Sequence, residues 1–292
     1  MGFMSIYGVA RSVWVVTDER YVRQRMPLAV VESLVSSGLD VRTLVVDDLV
    51  TSLGTRLDDP RIDPLHEVKP GDVVLGRTRN RFGLALMRQM ERLGAISCNP
   101  WGGIAEVRNK PRAVETLVGN GIPVPRTFLA DHPGALKDVP VGFFPLLLKP
   151  HLGDNGRGLL LVRDPADLDD IEWLDGMVLA QQFVDTGLID LKLYGVTDRV
   201  WAVRRTSPLA GEAGNETDLV EVTAELRDLA TACGRIFGLD LYGVDILESP
   251  TGPLVVDVNE FPNYTGIVEA PAAIATLVTD RVRGPEVSRC AS

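Results

Sequence analysis

Residues 242–264, YGVDILESPTGPLVVDVNEFPNY, set acids inside two consecutive apolar runs, Val244–Leu247 and Leu254–Val258. Ser249-Pro250-Thr251-Gly252-Pro253 between them is turn-forming, so the segment predicts a hairpin. Paired about that turn, Asp245 faces Asp257, and Asn259 falls on the same side as Asp257. Opposed residues in such a pair have Cβ atoms roughly 5 Å apart, where like charges destabilise. Two carboxylates and an amide oxygen at that spacing call for a hard cation. Oxygen donors of this kind suit Mg²⁺, which takes one or two carboxylates and completes its shell with phosphate oxygens. The hairpin therefore predicts a metal–nucleotide site.

The chain has 292 residues, enough for two or three parts, and its 45% hydrophobic and 24% charged content is ordinary for a protein with a sizeable core. A net charge of −10 argues against a nucleic-acid or membrane-surface binder. Lysine is scarce: Lys69, Lys110, Lys137, Lys149 and Lys192 are all there are, so their positions carry information. Cys98, Cys233 and Cys290 form neither a CxxC pair nor a Cys/His cluster, which speaks against zinc and a disulfide framework. Reduced thiols, an N-terminus without the apolar core of a signal peptide, and no run near the roughly 20 apolar residues of a membrane span predict a cytoplasmic protein.

Strand-like Val13–Val16, a helical pattern over Pro27–Ser37 ended by Gly38, strand-like Val41–Val46 and Asp72–Leu75, and a helix through Phe82, Leu86, Met90 and Leu93 predict an α/β unit with a mainly parallel sheet. Thr17-Asp18-Glu19-Arg20 follows the first strand in place of Gly-x-Gly-x-x-Gly, which excludes a Rossmann-type dinucleotide site. Asn99-Pro100-Trp101-Gly102-Gly103 reads as a boundary. Beyond it the pattern predicts a helix near Pro111–Val118, then strands at Arg126–Leu129, Pro145–Lys149, Gly158–Val162 and Val178–Phe183. A helix is expected over Thr217–Phe237, where Leu219, Val222, Leu226, Leu229, Cys233 and Ile236 form a core stripe, and another over Ile267–Val282.

Between two strands, His151-Leu152-Gly153-Asp154-Asn155-Gly156-Arg157-Gly158 forms a glycine-rich loop whose backbone N–H groups can converge on an anion. Lys149, at the end of the strand before it, is placed to meet a phosphate. The lysine precedes the glycines and no helix follows, so this is not a P-loop. The alternative is a solvated hairpin loop, which the nearby carboxylate hairpin disfavours. In Asp190-Leu191-Lys192-Leu193-Tyr194, Asp190 and Lys192 share a face, and a buried lysine there needs an anionic partner, either a ligand or a plain ion pair.

In order along the chain, these pieces resemble the ATP-grasp superfamily, in particular its branch of ribosomal-protein glutamate ligases (RimK-like) and related amino-acid ligases. The resemblance rests on Asn109-Lys110, Gly121-Ile122-Pro123-Val124-Pro125-Arg126-Thr127, the Lys149 strand with its loop, Asp190-Leu191-Lys192, and the hairpin from Gly243 to Pro262. It implies an α/β and α+β fold: an N-terminal α/β domain at 1–98, a central subdomain with the lid loop at 99–177, and a C-terminal subdomain with the metal site at 178–292, the last two clamping ATP. By resemblance, Lys110 and Lys149 hold the phosphates and the adenine edge, and the loop bearing Gly153, Gly156, Arg157 and Gly158 covers the β- and γ-phosphates. The Gln182, Phe183 and Val184 backbone pairs with adenine, and Asp185 takes the ribose hydroxyls. Lys192 and Arg205 act on the γ-phosphate or acyl-phosphate, while Asp245, Asp257 and Asn259 hold two Mg²⁺ ions. A homo-oligomer is common in such families.

The activity implied is an Mg²⁺-dependent, ATP-driven carboxylate–amine ligase working through an acyl-phosphate on a small metabolite or peptide. Arg77, after the strand ending at Leu75, is a candidate for the substrate carboxylate, whereas Arg79 and Arg81 fit a solvated basic loop at least as well. Two departures leave the acceptor open. Asp257 stands where these ligases usually carry Glu, and the short Thr206–Gly211 segment lacks their arginine- and asparagine-bearing loop. The run from Asp257 to Tyr264 is also similar to inositol-phosphate kinases of the superfamily, so phosphorylation of a hydroxyl is the competing expectation, and a non-catalytic nucleotide-binding module is a third.

Overall fold

The computed structural model describes residues 11–53, 59, 61–151, 158–169, 171–187, 189–207 and 217–284. Its contacts divide the chain into two units, 1–101 with 268–292, and 102–267.

In the first unit, β1 (Val13–Thr17), β2 (Val41–Val45), β3 (Val73–Arg77) and β4 (Ile96–Cys98) form a parallel sheet in the order β2-β1-β3-β4. The parallel sheet expected from the alternating pattern is present, and β1 and β3 are buried along their whole length, as strands covered on both faces should be. Helix α1 (Arg25–Ser36) buries Pro27, Val30 and Leu34, while Leu28 and Val35 of the expected stripe are exposed. Gly38 follows its end with φ +76°, a conformation that strains any residue carrying a Cβ. Helix α2 (Arg81–Arg92) starts at Asn80, whose side chain accepts the Phe82 N–H at 2.8 Å. The final helix, α6 (Ala270–Arg283), packs on α1 and β3 of this unit.

The second unit contains two antiparallel sheets. The smaller runs β5-β8-β6-β7, from β5 (Thr127–Ala130), β6 (Leu146–Pro150), β7 (Leu160–Val162) and β8 (Val178–Gln182). Leu146, Leu148, Val178 and Ala180 face its core, which turns Leu147, Lys149, Leu179 and Gln181 to the other side. The larger runs β11-β10-β9-β12-β13, from β9 (Ile189–Val196), β10 (Arg199–Thr206), β11 (Thr217–Val220), β12 (Leu241–Ser249) and β13 (Gly252–Glu260). Helix α5 (Ala224–Phe237) and α4 (Lys110–Gly119) cover one face of it through Leu229, Cys233, Phe237, Val244 and Leu117. Tyr242 lies flat between Gly195 and Gly234, where a Cβ at either position would collide with its ring.

One expectation needs correction. The helix expected from Thr217 begins only at Ala224, because Thr223 caps it by accepting the Leu226 N–H at 3.3 Å. Thr217–Val220 instead pairs with β10, with Val220 beside Ala202, and Leu219 is exposed rather than part of the core stripe. The stretch read as a boundary at 99–103 contains the division between the two units, at 101/102, and its two glycines sit within a helix, α3 (Trp101–Arg108).

Candidate active site

The hairpin sets the geometry. Ser249 pairs with Gly252, so Pro250-Thr251 is a two-residue turn, tighter than the five-residue turn the sequence suggests. Carried on unbroken, that register would oppose Asp245 with Val256 and send Asp257 to the core face. A β-bulge between Asp245 and Ile246 on the pairing prevents this and brings Asp257 opposite Asp245. On the other side of β12, Asp245 pairs with Lys192 of β9. Lys192, Asp245 and Asp257 thus form one row across three strands, neighbours about 5 Å apart.

Charge is compensated along this row. Lys192 Nζ lies 2.9 Å from Asp245 Oδ1 and 3.1 Å from Oδ2, and Arg205 Nη2 reaches the same Oδ1 at 3.3 Å. Burial pushes the Asp245 carboxyl up, but the Lys192 and Arg205 charges outweigh it and hold the group below the usual carboxylate range. Lys110, at the start of α4 behind the Asn109 cap, places Nζ 3.1 Å from Asp257 Oδ2. Asn259 donates Nδ2 to Asp245 Oδ2 at 3.0 Å, leaving Oδ1 as its acceptor atom.

The smaller sheet contributes Lys149. Its Nζ donates to Gln181 Oε1 at 2.6 Å, and Gln181 in turn donates to Thr127 Oγ1 at 3.3 Å. Both Lys149 and Gln181 are buried. Burial drives the Lys149 ammonium down to about 8; the Asp257, Asp245 and Asp190 charges oppose the shift, and Lys110 adds to it. Gln181 was not singled out from the sequence, although alternation in β6 and β8 puts it on the Lys149 face.

The remaining expected residues are placed as follows. Gly153, Gly156 and Arg157 lie outside the described residues. Before them, the His151 N–H donates to Asp175 Oδ2 at 3.0 Å; after them, Gly158 has φ +75°. The Gln182 and Phe183 N–H groups are already engaged by the Arg126 and Pro145 carbonyls, at 2.8 and 2.9 Å. The Val184 N–H has no protein acceptor among the described residues. Asp185 is exposed and accepts the Gly187 N–H at 3.0 Å. Arg77 belongs to the first unit, buried at the end of β3 with its guanidinium 4.3 Å from the Tyr21 ring centroid. Arg204, on the opposite face from Arg205, makes an exposed pair with Glu248 at 3.0 Å.

Four cations (Lys110, Lys149, Lys192, Arg205) and three carboxylates (Asp190, Asp245, Asp257) gather in the second unit, net positive by one within a chain of −10. Such a constellation can hold a polyanion together with a small hard cation. The donors fit Mg²⁺ rather than a site built wholly from protein. Asp245, Asp257 and Asn259 offer oxygens, and among the described residues no group of three or more His, Cys, Asp or Glu is set to hold a metal.

Comparison with known proteins shows the family and the fold. Residues 107–278 match the family described as RimK-like ATP-grasp domain. A probable alpha-L-glutamate ligase of Marinobacter nauticus is 31% identical over 257 residues, covering 82% of this chain and 85% of the relative. One from Vibrio vulnificus is 31% identical over 243 residues, covering 77% and 81%. Among solved structures, a RimK domain ATP-grasp protein from Sphaerobacter thermophilus superposes with TM-score 0.72 at 19% identity over 94% of this chain and all (100%) of its own. The ATP-grasp ligase PsnB, complexed with precursor peptide PsnA2 and AMPPNP, superposes with TM-score 0.70 at 19% identity, covering 94% and 99%. At such identities the structures attest the fold.

Proposed function

The chain belongs to the RimK-like ATP-grasp family, and from that premise we propose that it is an ATP-dependent carboxylate–amine ligase. A carboxylate of an amino acid or peptide is phosphorylated by ATP, and an amine displaces the phosphate. The observation that carries this reading is the row Lys192–Asp245–Asp257, flanked by Lys110 and Arg205, which supplies cations and oxygen donors side by side. Acyl-phosphate chemistry asks for positioning and charge neutralisation, and this face provides both.

Lys149 and Lys110 would bind the nucleotide phosphates, the Val184 N–H the adenine edge, and Asp185 the ribose. Lys192 and Arg205 would steady the transferring phosphoryl group and the acyl-phosphate. Asp245, Asp257 and the Asn259 Oδ1 would hold Mg²⁺, as two ions on the pattern of the resemblance. Bound there, Mg²⁺ neutralises charge on the phosphoryl oxygens. Relatives named as ligases favour this reading over a kinase, and structural neighbours that bind precursor peptides support an amino-acid or peptide substrate. Buried thiols at Cys98 and Cys233, neither in a disulfide, support a reducing, cytoplasmic setting, and no helix among the described residues is long and apolar enough to cross a membrane.

The test is to incubate the protein with ATP, Mg²⁺ and pools of amino acids and short peptides, following phosphate release and product mass. Release that requires both a carboxylate and an amine is expected. Transfer of the γ-phosphoryl group to a hydroxyl compound would overturn the ligase reading.

A further inference from the structure

Among the described residues, Asp190 is the one of the three carboxylates on the site face with no ion pair. Asp245 is held by Lys192 and Arg205, at 2.9 and 3.3 Å, and Asp257 by Lys110 at 3.1 Å. Asp190 has no ion pair within 4.0 Å among the described residues, although Arg205 stands directly opposite it across β9 and β10. Arg205 turns instead to Asp245, and its Nε is buried without an acceptor among the described residues. The hydrogen bond made to Asp190 comes from the Ser207 hydroxyl. A plain Asp190–Arg205 ion pair, the structural role the register would suggest, is therefore not formed.

Resting on the ligase reading above, we propose that Asp190 is the acceptor subsite: its carboxylate receives the incoming amine as its ammonium, which gives up a proton to water before the neutral nitrogen attacks the acyl-phosphate and phosphate leaves, and it thereby selects amines over hydroxyls and water. Asp190 lies two residues along β9 from Lys192, about 7 Å, on the same face. An amine held there stands one row beyond the proposed phosphoryl site. Burial, and then the Asp245 charge, hold the Asp190 carboxyl above the usual carboxylate range. A positive group arriving beside it relieves both effects, whereas a neutral hydroxyl relieves neither. Neighbouring Lys192 and Arg205 make their ion pairs with Asp245, and their charges, felt at Asp190 without contact, offset its raised carboxyl only in part.

The experiment uses the full chain with ATP, Mg²⁺ and a pool of free amino acids and short peptides as carboxylates. L-glutamate and hydroxylamine compete as nucleophiles, and amide and hydroxamate are counted by mass. Hydroxylamine is uncharged near neutral pH and has no need of a carboxylate anchor. For Asp190→Asn, the amide-to-hydroxamate ratio should fall about tenfold or more, with KM for L-glutamate rising by a similar factor and kcat changing far less. Asp190→Glu should restore part of the ratio, which a merely misfolded variant would not permit. A ratio and KM equal to wild type, or a fall in kcat alone, would overturn the proposal. Absence of both products from the wild-type protein would instead refute the ligase reading beneath it.

Discussion

The two sheets of the second unit each bury a lysine on the site side, and they treat it differently. In the five-stranded sheet, Lys192 is neutralised by Asp245 at 2.9 Å within its own row. In the four-stranded sheet, Lys149 meets, among the described residues, only the neutral Gln181 amide at 2.6 Å, and burial drives its ammonium down to about 8. One sheet pairs its lysine within its own row, while the other holds a cation whose charge is satisfied when an anion arrives. A face that stores paired charge suits metal and transferring phosphate; a face with a desolvated, unmatched ammonium suits capture of the nucleotide.

Substitutions should separate these roles. The largest effect is expected for Asp257→Asn, which keeps shape but removes a carboxylate from the row: turnover should fall about 100-fold or more with the fold retained by circular dichroism. Lys149→Met should weaken ATP binding about tenfold or more in calorimetric titration while leaving the five-stranded row intact. Wild-type ATP affinity should also decline as pH rises through about 8, where Lys149 loses its proton, and the decline should flatten in Lys149→Met. The sign for stability is opposite. Between about 8 and 10.5 the unfolded chain binds the proton that folded Lys149 does not, so this group makes unliganded stability rise with pH.

Away from both faces, Arg108→Ala breaks the 2.8 Å pair with buried Glu260 and should cost about 3 kcal/mol in denaturant unfolding. Arg204→Ala, which removes the exposed pair to Glu248, should cost under about 1 kcal/mol and leave turnover near wild type. An effect of Arg204→Ala as large as that of Asp257→Asn would erase the distinction between the two faces of β10.

The hairpin was legible because alternation has a period of two and its acids interrupt otherwise apolar runs. What the sequence hid was the means: a tight turn at Pro250-Thr251 corrected by a bulge, which no local pattern announces. The start of α5 was misread because Leu219 and Val222 fit helical spacing, and only the Thr223 cap and the pairing of Val220 with Ala202 decide against it. Trp101–Arg108 escaped notice because Gly102 and Gly103 argue against a helix that tertiary packing nonetheless stabilises. Lys110 could be picked out by the rarity of lysine, but its pairing with Asp257, 147 residues away, could not. Gln181 and the uncompensated state of Asp190 likewise depend on which strands lie side by side, information that local periodicity does not hold.

The central claim is that the Asp245–Asp257 face binds metal and nucleotide together. Titrating ATP into the wild-type protein and Asp257→Asn, with and without Mg²⁺, tests it without knowledge of the acceptor. Mg²⁺ should tighten ATP binding about tenfold or more in the wild type, and most of that gain should vanish in the variant. An equal Mg²⁺ gain in both proteins would contradict the claim.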